Sequence, residues 1–197
     1  MSAKGQNTTR IDLLRHGDTA QQSYRGQLDD TLSELGWRQL RQATADGAWD
    51  WIVTSSLRRC AEFAQCYAEE TALTCSIDPR LIEYHFGEWQ GRTLDSLVIS
   101  EPDAVARLRA DPGRYPPPHA EKFSSFGERL RAAIDRIVDH ANGRHVLVVT
   151  HGAVIRWLLC AAHGWPFGAM AEIDVPHASL HKLDWSTPSP ATSPRRA

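Results

Sequence analysis

Leu13-Leu14-Arg15-His16-Gly17-Asp18-Thr19 ends an apolar run, begun at Ile11, on an arginine, an imidazole and a glycine. A buried strand with that ending delivers a cation and an imidazole to the floor of a pocket. Far downstream, Val146-Leu147-Val148-Val149-Thr150-His151-Gly152 repeats the pattern. The two runs are read as neighbouring strands that present two histidines to one phosphate.

Working outward, residues 1–8 are polar and expected to fray, residues 9–15 form the first strand, and residues 16–30 form a loop. Thr31-Leu32-Ser33-Glu34 has capping-box spacing, so a helix is expected from there to Asp46-Gly47. Trp51–Thr54 reads as a short strand. Ser55-Ser56 is placed as the cap of a second helix that buries Leu57, Cys60, Ala61, Ala64 and Tyr67. A third strand is expected over 73–77, an irregular stretch over 80–92, a helix over 93–110 and a proline-rich excursion over 111–119. Ser125-x-x-Glu128 opens the cleanest amphipathic stripe: Phe126, Leu130, Ala133, Ile134, Ile137 and Val138. Asn142-Gly143 ends it. A strand at 145–150, a helix over 153–163 and two short strands near 171–175 and 179–184 complete the pattern. Strands alternating with helices imply a three-layer α/β/α fold with a mostly parallel central sheet. In such sheets ligands lie beyond the carboxyl ends of the strands, where His16 and His151 fall. The domain is set at 9–184, with 91–122 as a short cap and 185–197 as a disordered tail rich in Ser, Thr and Pro.

The totals narrow the function classes. A chain of 197 residues suits one domain with a substantial core. A formal charge of −2, without a basic block, argues against nucleic acid as a partner. Lysine occurs only at Lys4, Lys122 and Lys182, and the remaining cations are arginines, the side chain suited to bidentate anion binding. Cys60, Cys66, Cys75 and Cys160 form no CxxC pair and no metal-ligand spacing, which reads as reduced thiols in a reducing compartment. The first ten residues carry no apolar signal core, and no stretch approaches a membrane span. A cytoplasmic location without a membrane partner is therefore expected, and a homodimer is the candidate assembly. There is no phosphate-binding GxxxxGK[ST] loop, no GxGxxG, no HExxH and no GxSxG. His177 and His181 lack a third ligand, so no metal is assigned.

What remains is a set of arginines, histidines and carboxylates at element ends. A phosphate monoester needs fixed cations and several donors. Arg15 and Arg58 can supply two guanidinium forks, Arg58 from the first turn of its helix, where backbone N–H groups also favour anions. Arg59 is assigned to the helix surface. A neutral imidazole can attack phosphorus, and a second imidazole can stabilise the equatorial oxygens if it is protonated. A carboxylic acid must then protonate the departing alkoxide.

Five ordered blocks carry a family resemblance: Leu14–Thr19, Leu28–Gly36, Thr54–Cys60, Leu81–Thr93 and Val149–Arg156. They resemble the histidine phosphatase superfamily, which includes the cofactor-dependent phosphoglycerate mutases. The resemblance implies that His16 is the nucleophile that becomes phosphohistidine. It implies that Arg15, Arg58 and His151 hold the phosphoryl group, with Gly152 beside them, and that Glu83 is the leaving-group acid and then the base for water. Glu83 is preferred to Glu88 because it holds the glutamate position of the family's L-x-E-x-x-F-G-x-W-x-G block. Neither a cofactor nor a metal is implied. Thr19, Arg25 and Arg92 are further substrate-contact candidates. His85, His119 and His177 are assigned structural or surface roles, and Trp89 a packing role.

Arg15-His16-Gly17 is followed by Asp18-Thr19-Ala20-Gln21, unlike the RHGxRxP of the acid-phosphatase and phytase branch. The mutases carry a longer insertion before the second histidine, so the short cap here favours water over a sugar hydroxyl as acceptor. The wording of Asp12–Thr19, Tyr24–Asp30 and His85–Thr93 is similar to the cobalamin-pathway α-ribazole phosphatases. That similarity implies a small-molecule phosphomonoester, α-ribazole 5′-phosphate or adenosylcobalamin 5′-phosphate, as substrate. The alternatives are a sugar-phosphate or broad-specificity phosphatase, a phosphoglycerate mutase and, more remotely, a non-catalytic phospholigand-binding protein. The segment Pro117–Phe123 departs from the family's Pro-x-Gly-Glu-Ser wording, lacking its glycine pair and serine.

Overall fold

The computed structural model describes residues 9–185. The expected frayed residues 1–8 and the tail beyond Trp185 lie outside the described residues. Five strands, β1 (Arg10–Arg15), β2 (Trp51–Thr54), β3 (Thr74–Ile77), β4 (His145–Thr150) and β5 (Leu180–Leu183), form one sheet in the order β3-β2-β4-β1-β5. All pairings are parallel except β1 with β5. Strand alternation sends Ile11, Leu13, Val146 and Val148 to one face, and Leu14, Ile52, Leu147 and Val149 to the other. Both faces are covered, as parallel sheets require. Helices α5 (Phe123–Ala141) and α6 (Gly152–His163) cover the first face, and α1 (Glu34–Thr44) and α2 (Arg58–Thr71) the second. The three-layer architecture is the one expected.

Several local expectations shift. The cap of α1 is Ser33, not Thr31, because the Ser33 hydroxyl accepts from Gly36 N at 3.0 Å. The cap of α2 is Leu57, which has no side-chain acceptor, and α5 begins at Phe123 behind Lys122, so Ser125 lies inside its first turn. The helix expected over 93–110 is two, α3 (Leu94–Ser100) and α4 (Pro102–Ala110). Pro102 cannot donate, and it holds Glu101 out of helical geometry at φ −141°. No strand forms at 171–175. The carbonyls of Ile173 and Val175 accept instead from Arg156 and Arg15. Trp185, assigned to the tail, packs back on α5, its indole donating to Asp135 at 2.7 Å.

The cap has a small core of its own. Trp89, 1 % exposed, packs with Leu97 and Val105 and donates from its indole to Glu101 at 3.2 Å. Arg92 completes this joint through Glu101 and Ser100. No disulfide joins the four cysteines. Cys60 and Cys160 are buried, whereas Cys66 and Cys75 are partly exposed. Among the described residues, no helix is long and apolar enough to cross a membrane.

Candidate active site

Parallel pairing of β1 with β4 sets Arg15 opposite Thr150, so His16 and His151 leave adjacent strands at the same level. Their ring centroids lie 5.3 Å apart, and His151 is fully buried. The Nδ1 of His16 lies 2.8 Å from the Gly17 carbonyl, which can only accept, so Nδ1 carries the proton and Nε2 keeps its lone pair. This loop presses on the first turn of α1: a Cβ on Gly17 would sit 2.3 Å from the Gly36 carbonyl oxygen. Ser33 ties the two together, its hydroxyl donating to Asp18 Oδ2 at 2.6 Å.

Arg58 and Arg59 exchange the places assigned from sequence. The Arg58 side chain is 54 % exposed and pairs with Glu62 one turn along α2. Arg59 is 1 % exposed. Its Nη1 donates to Leu28 O and its Nη2 to Gly26 O, at 2.7 and 2.6 Å. Adjacent residues on a helix differ by a rotation of roughly 100°, so only one of the two arginines can lie along the buried side of α2. Two signals marked the right one. Arg58 has Glu62 at i+4 on the solvent face, and Arg59 has the buried Phe63 at i+4.

Arg15 ends β1 beside His16. It holds the Val175 carbonyl at 2.5 Å through Nη1. The Nε atoms of Arg15 and Arg59 are buried and, among the described residues, have no hydrogen-bond partner. Two buried cationic N–H donors of this kind form a cradle for an anion.

Glu83 closes the site. Its Oε1 accepts from Tyr84 N at 3.0 Å and its Oε2 from Ala153 N at 3.2 Å, which fixes the carboxylate at the first turn of α6. Behind it, Arg129 donates to the carbonyls of Arg80, Ile82 and Glu83 and to the carboxylate of Glu121. Glu121 in turn accepts from His85 N at 2.8 Å. The segment that departs from the family wording thus supports the turn bearing the acid, a role no spacing in the sequence announced. Glu88, the competitor, is largely exposed beside His119.

A cavity of about 520 Å³ brings together Arg15, His16, Thr19, Arg59, Glu83 and Gly152. Arg25 reaches its rim but is forked on Asp30, at 2.7 Å from Nε and from Nη2. Arg92 is not among the lining residues; it is spent on the cap joint with Glu101. Two residues join that the sequence left aside. Arg156 lines the cavity, and so does His177, whose ring stands 5.4 Å from that of His16. The turn bearing His177 is tied to β1 by the Ala178 amide donating to His16 O and the Arg15 amide donating to Ser179 O. His151 is not among the lining residues; it is fully buried beside His16, 2.7 Å from the Ser55 hydroxyl and against the Cys60 thiol, whose pKa burial pushes up to about 12.

The electrostatics follow from burial among cations. Desolvation, then Arg59 and Arg15, hold His16 well below the ordinary imidazole value. Desolvation, then Arg59 and His16, do the same to His151. Burial and Arg15 bring His177 down to about 4. Both site imidazoles are therefore free bases near neutral pH, and a bound dianion would raise them. Among the described residues, no group of three or more His, Cys, Asp or Glu side chains is placed to hold a metal ion.

Residues 11–193 match the model of the histidine phosphatase superfamily, branch 1. The bifunctional protein Rv2228c of Mycobacterium tuberculosis is 34% identical over 179 residues, which are 87% of this chain and 49% of that protein. The chain thus spans about half the length of that curated relative. A mycobacterial glucosyl-3-phosphoglycerate phosphatase superposes with a TM-score of 0.79 at 31% identity, covering 89% of this chain and 90% of its own. The α-ribazole phosphatase of Shigella flexneri superposes with a TM-score of 0.75 at 24% identity, covering 90% of this chain and 91% of its own, and so shares the fold.

Proposed function

Because this chain belongs to the histidine phosphatase superfamily, branch 1, we propose that it is a phosphomonoester hydrolase that works without a metal through a phosphohistidine intermediate. The observation that carries this reading is a pair of buried guanidinium Nε atoms, without hydrogen-bond partners among the described residues, on Arg15 and Arg59, which line the pocket together with His16.

In the first step the lone pair on His16 Nε2 attacks phosphorus. The phosphorus–oxygen ester bond breaks, and its electron pair stays on the alcohol oxygen, which takes the proton of the Glu83 carboxyl group. Arg15 and Arg59 supply fixed positive charge to the equatorial oxygens, and His151 supplies a further donor. In the second step Glu83, now a carboxylate, takes a proton from water as the water oxygen attacks the phosphohistidine. The nitrogen–phosphorus bond breaks, its pair returns to Nε2, and inorganic phosphate leaves. Arginines do the charge neutralisation that a metal would otherwise supply.

For the alcohol, the wording of 12–19, 24–30 and 85–93 supports α-ribazole 5′-phosphate or adenosylcobalamin 5′-phosphate in cobalamin assembly. Likeness to a phosphatase of glucosyl-3-phosphoglycerate supports a sugar phosphate as the second reading. The short cap supports hydrolysis over mutase transfer. Phosphate release in the presence of a chelator, from α-ribazole 5′-phosphate, 3-phosphoglycerate and fructose bisphosphate, tests the whole reading. Hydrolysis unaffected by chelator supports it. A bisphosphate-dependent transferase rate exceeding hydrolysis, or tight binding without turnover across the panel, overturns it.

A further inference from the structure

A second cavity, of about 340 Å³, opens off the phosphate pocket. Arg15, Tyr24, Phe86, Ala153 and Arg156 line both, so the two are joined rather than merely close. Its wall is a continuous run of rings. Tyr24 and Phe86 have centroids 4.9 Å apart, Phe86 and Tyr84 5.1 Å, and Tyr84 and Phe126 5.1 Å. Leu108 from α4 and Met170, with its polarisable thioether, complete the lining.

The chemistry of this annex is one-sided. The Tyr84 hydroxyl is already committed, donating to the Glu121 carbonyl at 2.8 Å. Arg15 and Arg156 bring charge at the junction, and Arg109 is the one cation lining the annex beyond it; Arg109 and Arg156 both act on the Tyr24 phenol. A sugar hydroxyl placed against these rings would lose water without gaining a comparable partner. A flat ring would bury its faces against aromatic and aliphatic neighbours, and a guanidinium is attracted to a π face. The volume sits at the small end of ligand pockets, so it suits one or two fused rings rather than a coenzyme-sized alcohol.

We infer that the annex holds an aromatic ring borne by the alcohol half of the substrate, so that the substrate class is phosphomonoesters of aryl- or heteroaryl-bearing alcohols. The inference rests on the phosphatase reading above. It deepens that reading by naming Tyr24, Phe86, Leu108 and Met170 as the residues that read the alcohol.

The test uses the full chain and two esters of similarly acidic alcohols, 2-phenylethyl phosphate and n-propyl phosphate. The expected result is a kcat/KM for the ring-bearing ester about tenfold or more above that for propyl phosphate. Leu108→Trp and Ala171→Trp, each at a lining residue of the annex, are expected to abolish that preference, lowering kcat/KM for the ring-bearing ester by about tenfold more than for propyl phosphate. Equal kcat/KM for the two esters in the unsubstituted chain overturns the inference, as does an equal loss for both esters in both variants. Hydrolysis of neither ester by the unsubstituted chain overturns the phosphatase reading itself, and the annex assignment with it.

Discussion

Arg58 and Arg59 are consecutive in α2, one turned to solvent and the other to the interior. Arg58 is paired with Glu62 in solvent, and Arg59 is buried beside the cavity that His16 lines, its Nε without a hydrogen-bond partner among the described residues. Consequently Arg59→Ala is expected to lower kcat/KM by about 10²–10³, the loss typical of removing one donor from developing charge. Arg59→Lys keeps the charge but not the fork, so it is expected to restore only part of the activity. Arg58→Ala removes a surface pair and is expected to change stability by less than about 1 kcal/mol with kcat/KM unaltered. Steady-state kinetics and thermal melts on the three variants check this.

Glu83 is fixed by the amides of Tyr84 and Ala153 where an alcohol oxygen would leave. Glu83→Gln removes the proton but keeps the shape. Turnover of alkyl phosphates is expected to fall by about 10²–10⁴, the usual contribution of general acid catalysis. Turnover of p-nitrophenyl phosphate, whose phenolate leaves without help, is expected to fall much less. Equal losses on both substrates would assign the acid elsewhere.

Arg129 and Glu121 are a half-buried pair braced against the turn that carries Glu83. Arg129→Ala leaves Glu121 without its cation and removes a donor from the Arg80 and Ile82 carbonyls, while Gln27 still donates to Glu83 O. Its expected cost is about 3–5 kcal/mol in chemical denaturation. If Arg129 positions the acid, alkyl phosphate turnover should drop more than p-nitrophenyl phosphate turnover at a temperature where the variant is folded.

Acidification is expected to destabilise the fold. His16, His151 and His177 are all held below the ordinary imidazole value, mainly by burial. Between the ordinary value of about 6.5 and their folded values, the unfolded chain binds more protons than the native one. Stability from this source is complete above about pH 6.5 and falls as the pH drops through the window below it. Asp18, lowered chiefly by the Ser33 hydroxyl, adds a loss of the same sign at lower pH. Tm should therefore decline from pH 7.5 to pH 5, and saturating inorganic phosphate should recover part of the decline. A Tm that holds or rises on acidification contradicts this electrostatic description.

The layers and the sheet were legible because their signals are local and redundant. Val146–Val149 is apolar on both faces, and the stripe from Phe126 to Val138 repeats at helical spacing. The juxtaposition of His16 and His151 was legible because adjacent parallel strands end at one level. Arg59 was not, since its placement hangs on the phase of a helix whose cap, Leu57, has no side-chain acceptor. His177 was not, because its position depends on a turn held by backbone bonds to Arg15 and His16, more than 150 residues away in sequence. The bracing by Glu121 and Arg129 is likewise tertiary, and the strand expected at 171–175 gave way to two arginines that claimed its carbonyls.

The central claim is that His16 Nε2 takes the phosphoryl group. Rapid acid- and alkali-quench of turnover with ³²P-labelled substrate tests it most directly. The expected result is label on a peptide containing His16, stable to alkali and lost in acid, with no label and no turnover in His16→Ala. Full turnover by His16→Ala, or label on any other residue, would contradict the account.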